Sequence, residues 1–275
     1  MKTSIVLSTH AASFSAVTYQ GDFEANLGRI AALGYDGVEL AVRDPDLLDL
    51  GFVQAALARH GLPVPAIGTG QAFSEEGLSL TDPDAAIRKQ TAERIRRQVD
   101  LARLLGAAVI IGLIRGKVQP GVSREQAMGW LEKGLAECAG YAHQQGVRLA
   151  LEPVNRYETD LIISVSEGLS LISSIGADNL GLLVDTFHMN IEEPSIEGSI
   201  RAAGAAILHC HVADSNRWHA GAGHLDFASI LSALEEAGYQ GYLSAEVLPL
   251  PNPDECARRN IEYLRRVLAD LRGQC

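Results

Sequence analysis

Four segments of this chain end a short apolar run on a side chain that can hold a metal or move a proton. Arg148 to Leu151 runs into Glu152, and Leu180 to Val184 runs into Asp185. His209-Cys210-His211 and Ser244-Ala245-Glu246 repeat the pattern further along. A strand that delivers such a group at its C-terminal end is how an α/β barrel presents its chemistry. Glu152, Asp185, His211 and Glu246 together form a hard, mostly oxygen donor set, which favours Mn²⁺, Mg²⁺ or Co²⁺ over zinc. A single strand-end carboxylate is as often an N-cap or ion-pair partner of the next helix. Four consecutive strands that each end on a potential ligand point instead to a shared metal centre. Glu39, ending an earlier run, fits the same geometry and is expected to support structure or the ligands.

Such a set needs elements that bring distant positions to one opening. The chain alternates strand-like and helix-like segments throughout. The strand candidates are Ser4–Ser8, Gly37–Val42, Val64–Ile67, Ala108–Leu113, Arg148–Glu152, Gly181–Asp185, Ala206–His211 and Tyr242–Val247. Most are continuous apolar runs, as parallel strands buried on both faces require. Helix starts are marked by Asp44-Pro45, Asp82-Pro83 and Asn252-Pro253, each an N-cap before an N1 proline, and by the capping box Ser123-Arg124-Glu125-Gln126. Gly34, Gly61, Gly106, Gly146, Gly176 and Gly238 mark helix ends. Eight βα units predict a single (β/α)8 TIM-barrel domain over residues 1–275. A doubly wound open sheet is the rival, but no Gly-x-Gly-x-x-Gly follows the first strand, and Gly68-Thr69-Gly70 is too short to be that fingerprint.

A formal net charge of -11 argues against a nucleic-acid partner. Cys138, Cys210, Cys256 and Cys275 are scattered and suggest neither a zinc ribbon nor a disulfide framework. No apolar stretch approaches the ~20 residues that span a bilayer. The N-terminus reads as a first strand rather than a signal peptide. A reduced, cytoplasmic protein without a membrane partner is the expectation.

Glu152-Pro-Val-Asn-Arg-Tyr-Glu-Thr159, Asp185-Thr-Phe-His-Met-Asn-Ile-Glu-Glu193 and His211-Val-Ala-Asp-Ser-Asn-Arg217 resemble the D-tagatose 3-epimerase family of xylose-isomerase-like barrels. The resemblance implies that Glu152, Asp185, His211 and Glu246 bind one divalent ion, Mn²⁺ first, with Co²⁺ or Mg²⁺ as alternatives. It implies that Glu152 and Glu246 are the paired acid and base, and that Glu158, His188 and Arg217 hold sugar oxygens. It also implies a homodimer or homotetramer.

A longer similarity runs through Ala41-Val-Arg-Asp-Pro45, Ile67-Gly-Thr-Gly-Gln-Ala72, Ile110-Ile-Gly-Leu113, Ser215-Asn-Arg-Trp218 and Gly223-His-Leu-Asp-Phe227. It implies C3 inversion of a keto sugar acid, 5-keto-L-gluconate to D-tagaturonate, although the Trp218-His219 region departs from ketohexose epimerases. Inverting a carbon beside a ketone removes a proton from one face and returns one to the other, which two opposed carboxylates can do. A uronate would need a local cation, and Arg43 or Arg115 is expected to line the pocket for it. The rivals are a 3-epimerase of neutral ketohexoses and a hydroxypyruvate isomerase. An endonuclease IV-like DNA-repair enzyme is more distant, since it needs many clustered histidines and a basic face.

Overall fold

The strands run in chain order, all parallel, and the last pairs with the first. The computed structural model describes residues 1–273. Its strands are β1 (Lys2–Ser8), β2 (Glu39–Ala41), β3 (Ala66–Gly68), β4 (Ala108–Ile111), β5 (Leu149–Leu151), β6 (Leu180–Asp185), β7 (Ile207–Val212) and β8 (Tyr242–Ala245). The α-helices are α1 (Phe23–Leu33), α2 (Leu50–His60), α3 (Gly70–Glu76), α4 (Ala85–Leu105), α5 (Arg124–Gln144), α6 (Val165–Ile175), α7 (Thr186–Glu192), α8 (Ile196–Ala203), α9 (Phe227–Glu236) and α10 (Pro253–Gly273). The expected (β/α)8 barrel is therefore present, with two helices beyond the regular eight. These two, α3 and α7, follow directly on β3 and β6, at the C-terminal ends of their strands.

Local signals explain most boundaries. Ser123 and Gln126 form the reciprocal capping box at the start of α5. Asn252 accepts the Glu255 N–H at the start of α10. Gly34 and Gly106 close α1 and α4 in the left-handed region, at φ 85° and 70°, where a side chain is disfavoured. Two starts lie later than expected. Asp84, not Asp82, caps α4 by accepting the Ala86 N–H, while Asp82 accepts the N–H of Asp84. Asp44-Pro45 opens only a single 3₁₀ turn, and Asp49 caps α2. In both places the aspartate nearest the first free amides takes them, and the Asp-Pro pair forms the preceding turn.

The main core lies between the sheet and the helices and includes Ile5, Leu7, Ile67, Ile111 and Leu264, all fully buried. A second, smaller cluster, Ala66, Ile110, Ala150 and Leu183, sits on the inner face of the barrel. Strand periodicity of two puts Gly68, Gly112, Glu152 and Asp185 on that same face, one step nearer the C-terminal opening. The barrel thus has an apolar floor directly beneath its polar mouth. Cys138, Cys210 and Cys256 are buried free thiols, and Cys275 lies outside the described residues. Among the described residues no helix is long and apolar enough to cross a membrane.

Candidate active site and metal centre

Each of the four predicted ligands is delivered by a different strand. Glu152 follows β5, and its N–H is tied to Ile111 O of β4 at 3.1 Å. Asp185 ends β6 directly opposite His211 of β7, and His211 in turn pairs with Ser244 of β8. Glu246 is one residue beyond β8. One donor atom from each lies within 4.8 Å of the other three. His211 Nδ1 is 3.4 Å from Glu152 Oε1, 3.7 Å from Asp185 Oδ2 and 3.9 Å from Glu246 Oε1.

The donor set passes a direct test for a cation. Glu152 Oε1, Asp185 Oδ2 and His211 Nδ1 are buried and have no hydrogen-bond partner among the described residues. Buried polar atoms left unpaired cost about 1–3 kcal/mol each, and these three converge on one point. Asp185 divides its carboxylate between two tasks: Oδ1 caps α7 by accepting the Phe187 N–H at 2.7 Å, and Oδ2 faces the cluster. The cluster's electrostatics point the same way. Burial acts to lower the His211 imidazole, yet Glu39 and Glu246 raise it well above its ordinary value. Burial pushes Glu246 up to about 8 against the pull of His211 and Arg217. Positive charge is what these carboxylates demand.

Glu39 reaches across the barrel from β2. Its carboxylate accepts from His209 Nε2 at 2.8 Å and from His211 Nε2 at 3.0 Å. With a cation bound, that contact would keep the His211 proton on Nε2 and turn the Nδ1 lone pair towards the cluster. Burial acts to raise Glu39, but His211 and His209 hold it well below the usual carboxylate range.

Glu152, His211 and Glu246 of the cluster line one cavity. Glu158, His188 and Arg217, expected to hold sugar oxygens, all line it. Arg217 donates to Glu158 Oε1 at 2.8 Å and to Glu246 Oε2 at 3.0 Å. Its guanidinium lies between the rings of Phe14 and Phe187, 5.1 and 4.9 Å from their centroids. The backbone at Arg217 is left-handed, with φ 61°. It is held there by Asp214, whose carboxylate accepts the N–H groups of Ser215, Gly221 and Leu225 and so folds the whole loop.

The expectation that Arg43 or Arg115 lines the cavity fails for both residues. Arg115 does not reach the cavity. It is fully buried, and its guanidinium donates to the carbonyls of Gly112, Glu152, Leu161 and Ile162. Nε takes Leu161 O as well, so all five N–H donors of the fork are committed to backbone. Arg43 pairs with Glu76 at 3.5 Å and is likewise outside the lining. The cause is local: the 3₁₀ turn Leu113–Arg115 after β4 tucks Arg115 under the loop following β5. Arg115→Met is expected to leave the Glu152 and Leu161 carbonyls unpaired and to cost about 3–5 kcal/mol, at about 1–3 kcal/mol for each unmet group. A guanidinium chloride midpoint equal to that of the parent would refute this. Trp218, the other residue expected to bear on the substrate, is partly exposed and not in the lining.

Residues unassigned from the sequence also line the cavity, among them Phe14, Thr69, Gln71 and Ser74. Their contribution depends on the folding of the β1–α1 loop and of α3, and neither carries a periodic signal. Gly112 is another. A Cβ there would collide with Glu152 Oε2, so only glycine lets the carboxylate sit where it does. Gly112→Ala is expected to lower divalent-cation affinity about 10–100-fold, the usual effect of disturbing a ligand's support. Calorimetric titration with Mn²⁺ measures it, and an unchanged affinity would sink the assignment.

The family model for the xylose isomerase-like TIM barrel matches residues 27–267. The chain is 34% identical to the L-ribulose 3-epimerase of Mesorhizobium japonicum, over 95% of this chain and 87% of that one. It is 30% identical to the D-psicose 3-epimerase of Ruminiclostridium cellulolyticum, over 83% of this chain and 79% of that one. The crystal structure of D-allulose 3-epimerase from Methylomonas sp. in complex with D-allulose matches with a TM-score of 0.81 at 26% identity, covering 97% of this chain and 99% of that one.

Proposed function

The chain belongs to the xylose isomerase-like TIM barrel family, and from that premise we propose a divalent-metal-dependent epimerase that inverts C3 of a ketose or keto sugar acid. The observation that carries this reading is the convergence of Glu152, Asp185, His211 and Glu246 on one buried point with three of their facing atoms unpaired. Those four would hold the ion, Mn²⁺ first. When bound, the cation supplies Lewis-acid polarisation of the substrate carbonyl, which acidifies the neighbouring C–H.

The remaining chemistry falls to the chain. Glu152 and Glu246 stand on strands three steps apart around the eight-strand ring, so they face each other across whatever occupies the mouth. One takes the C3 proton from its side, leaving an enediolate. The other returns a proton to the opposite face, and C3 is inverted. His188 and Arg217 are placed to donate to the oxygens on which negative charge develops. Glu158 Oε2 has no partner among the described residues, and is placed to accept a sugar hydroxyl, while Oε1 is occupied by Asn155 and Arg217.

The motif similarity supports 5-keto-L-gluconate and D-tagaturonate as the substrate pair. A neutral ketose is the second reading, and one observation favours it: neither Arg43 nor Arg115 offers a guanidinium to a substrate carboxylate. Turnover of 5-keto-L-gluconate, D-tagaturonate, L-ribulose, D-fructose, D-tagatose and hydroxypyruvate by the Mn²⁺-loaded protein separates them. Solvent deuterium is expected at C3 of the converted sugar. Label confined to C1 would replace epimerisation with isomerisation, and no turnover of any member would overturn the reading.

A further inference from the structure

Asn155 lies in the turn after β5 and is buried, at 1% exposure. Its side-chain amide makes three hydrogen bonds whose directions can be worked out from chemistry alone. Oδ1 accepts the backbone N–H of Tyr157 at 2.9 Å. A backbone amide can only donate, so the oxygen end of the Asn155 amide is fixed and the other end is the NH₂ group. One of its hydrogens goes to Glu158 Oε1 at 3.0 Å. The other points at His188 Nδ1, 2.7 Å away. Facing a donor, Nδ1 must present its lone pair. The single ring proton of His188 is therefore on Nε2.

That nitrogen faces the chemistry. His188 lines the cavity, and its Nε2 is 3.9 Å from Asp185 Oδ2, at the edge of the ligand cluster. We propose that Asn155 is a positioning residue that locks His188 as the Nε2–H tautomer and so presents a neutral N–H donor to the ketose oxygen that gains charge during C3 deprotonation. The same amide steadies Glu158, so one buried side chain sets two of the groups that face the sugar. A preoriented donor costs no reorganisation as charge develops. The opposite tautomer would point a lone pair at that oxygen and repel it. The catalytic part of this inference rests on the epimerase reading; the ring state does not.

Asn155→Asp keeps the size of the side chain and the acceptor for Tyr157, but replaces the donor to His188 with a second acceptor. Long-range ¹H–¹⁵N correlation spectra of the full-length protein, with His188 assigned by a His188→Gln variant, report the protonation of each ring nitrogen. In the parent, Nδ1 is expected to be bare and Nε2 protonated. In Asn155→Asp, Nδ1 is expected to become protonated, and kcat to fall about 10–100-fold, as for loss of other supporting partners, with KM changed less. Circular dichroism and Mn²⁺ titration check that fold and cation binding survive. If that variant does not fold, Asn155→Ala removes the donor without adding an acceptor, and its ring is expected to average between tautomers.

A protonated Nδ1 in the parent would overturn the inference. So would a bare Nδ1 in Asn155→Asp, a locked ring in Asn155→Ala, or an altered ring with parental kcat. A parent protein with the expected ring state but no activity on any ketose or keto acid would instead overturn the epimerase reading. It would take the catalytic part of this inference with it.

Discussion

Glu152→Gln and Glu246→Gln are each expected to lower kcat by about 10²–10⁴-fold, the range that positioned acid–base groups contribute. Glutamine matches glutamate in shape and keeps one carbonyl oxygen, so the barrel end should remain as it is. What goes is the ability to take up and release a proton. The fold has little reason to suffer. Arg115 bonds the main-chain carbonyl of Glu152, not its carboxylate, and one negative charge fewer relieves a crowded cluster. Each Glu is also a predicted cation ligand, so rates must be compared at saturating Mn²⁺. In the parent, C3 is expected to exchange with solvent deuterium in both epimers; in either variant inversion is expected to collapse, with exchange retained only in the epimer whose C–H faces the remaining Glu. The two losses of turnover should not add, since inversion needs both carboxylates. Parental rates in both variants would sink the two-carboxylate mechanism.

Chelation is expected to abolish turnover, and Mn²⁺ to restore it. Thermal unfolding reports the same event without any substrate. A cation at 100 times its Kd stabilises the native state by about 2.7 kcal/mol. For a chain of this length that corresponds to roughly 5–10 °C in Tm, at about 2–4 °C per kcal/mol. The physical source is the set of unpaired donors: Glu152 Oε1, Asp185 Oδ2 and His211 Nδ1. Asp185→Ala is expected to remove the cation-dependent shift, while also weakening the start of α7 through loss of its cap. A Tm insensitive to Mn²⁺, with full activity in chelator, would refute the metal centre.

The barrel could be read from the sequence because its units repeat a strong, local pattern. Each apolar run is buried on both faces, and each helix carries a cap or a terminal glycine. The two short helices at the mouth, α3 and α7, could not be read this way. They have no periodic apolar face of their own and are folded by what surrounds them. Asp185 shows how local reasoning stalls on a single position. As a strand-end carboxylate it could be a helix cap or a ligand, and the fold gives one oxygen to each use.

Residue types and order were enough to nominate Glu152, Asp185, His211 and Glu246, because strand ends in a closed barrel must share one opening. The sequence alone could not say where long side chains go once they leave the backbone. Arg115 and Arg217 look alike in sequence, each in a loop after a strand. The turn after β4 buries Arg115 against carbonyls, whereas the Asp214-centred loop sends Arg217 into the cavity between two aromatic rings. Backbone pattern is set by neighbours a few residues away, and the sequence records it. The destination of a flexible charged side chain is set by partners tens to hundreds of residues away, and only the assembled barrel brings those partners within reach.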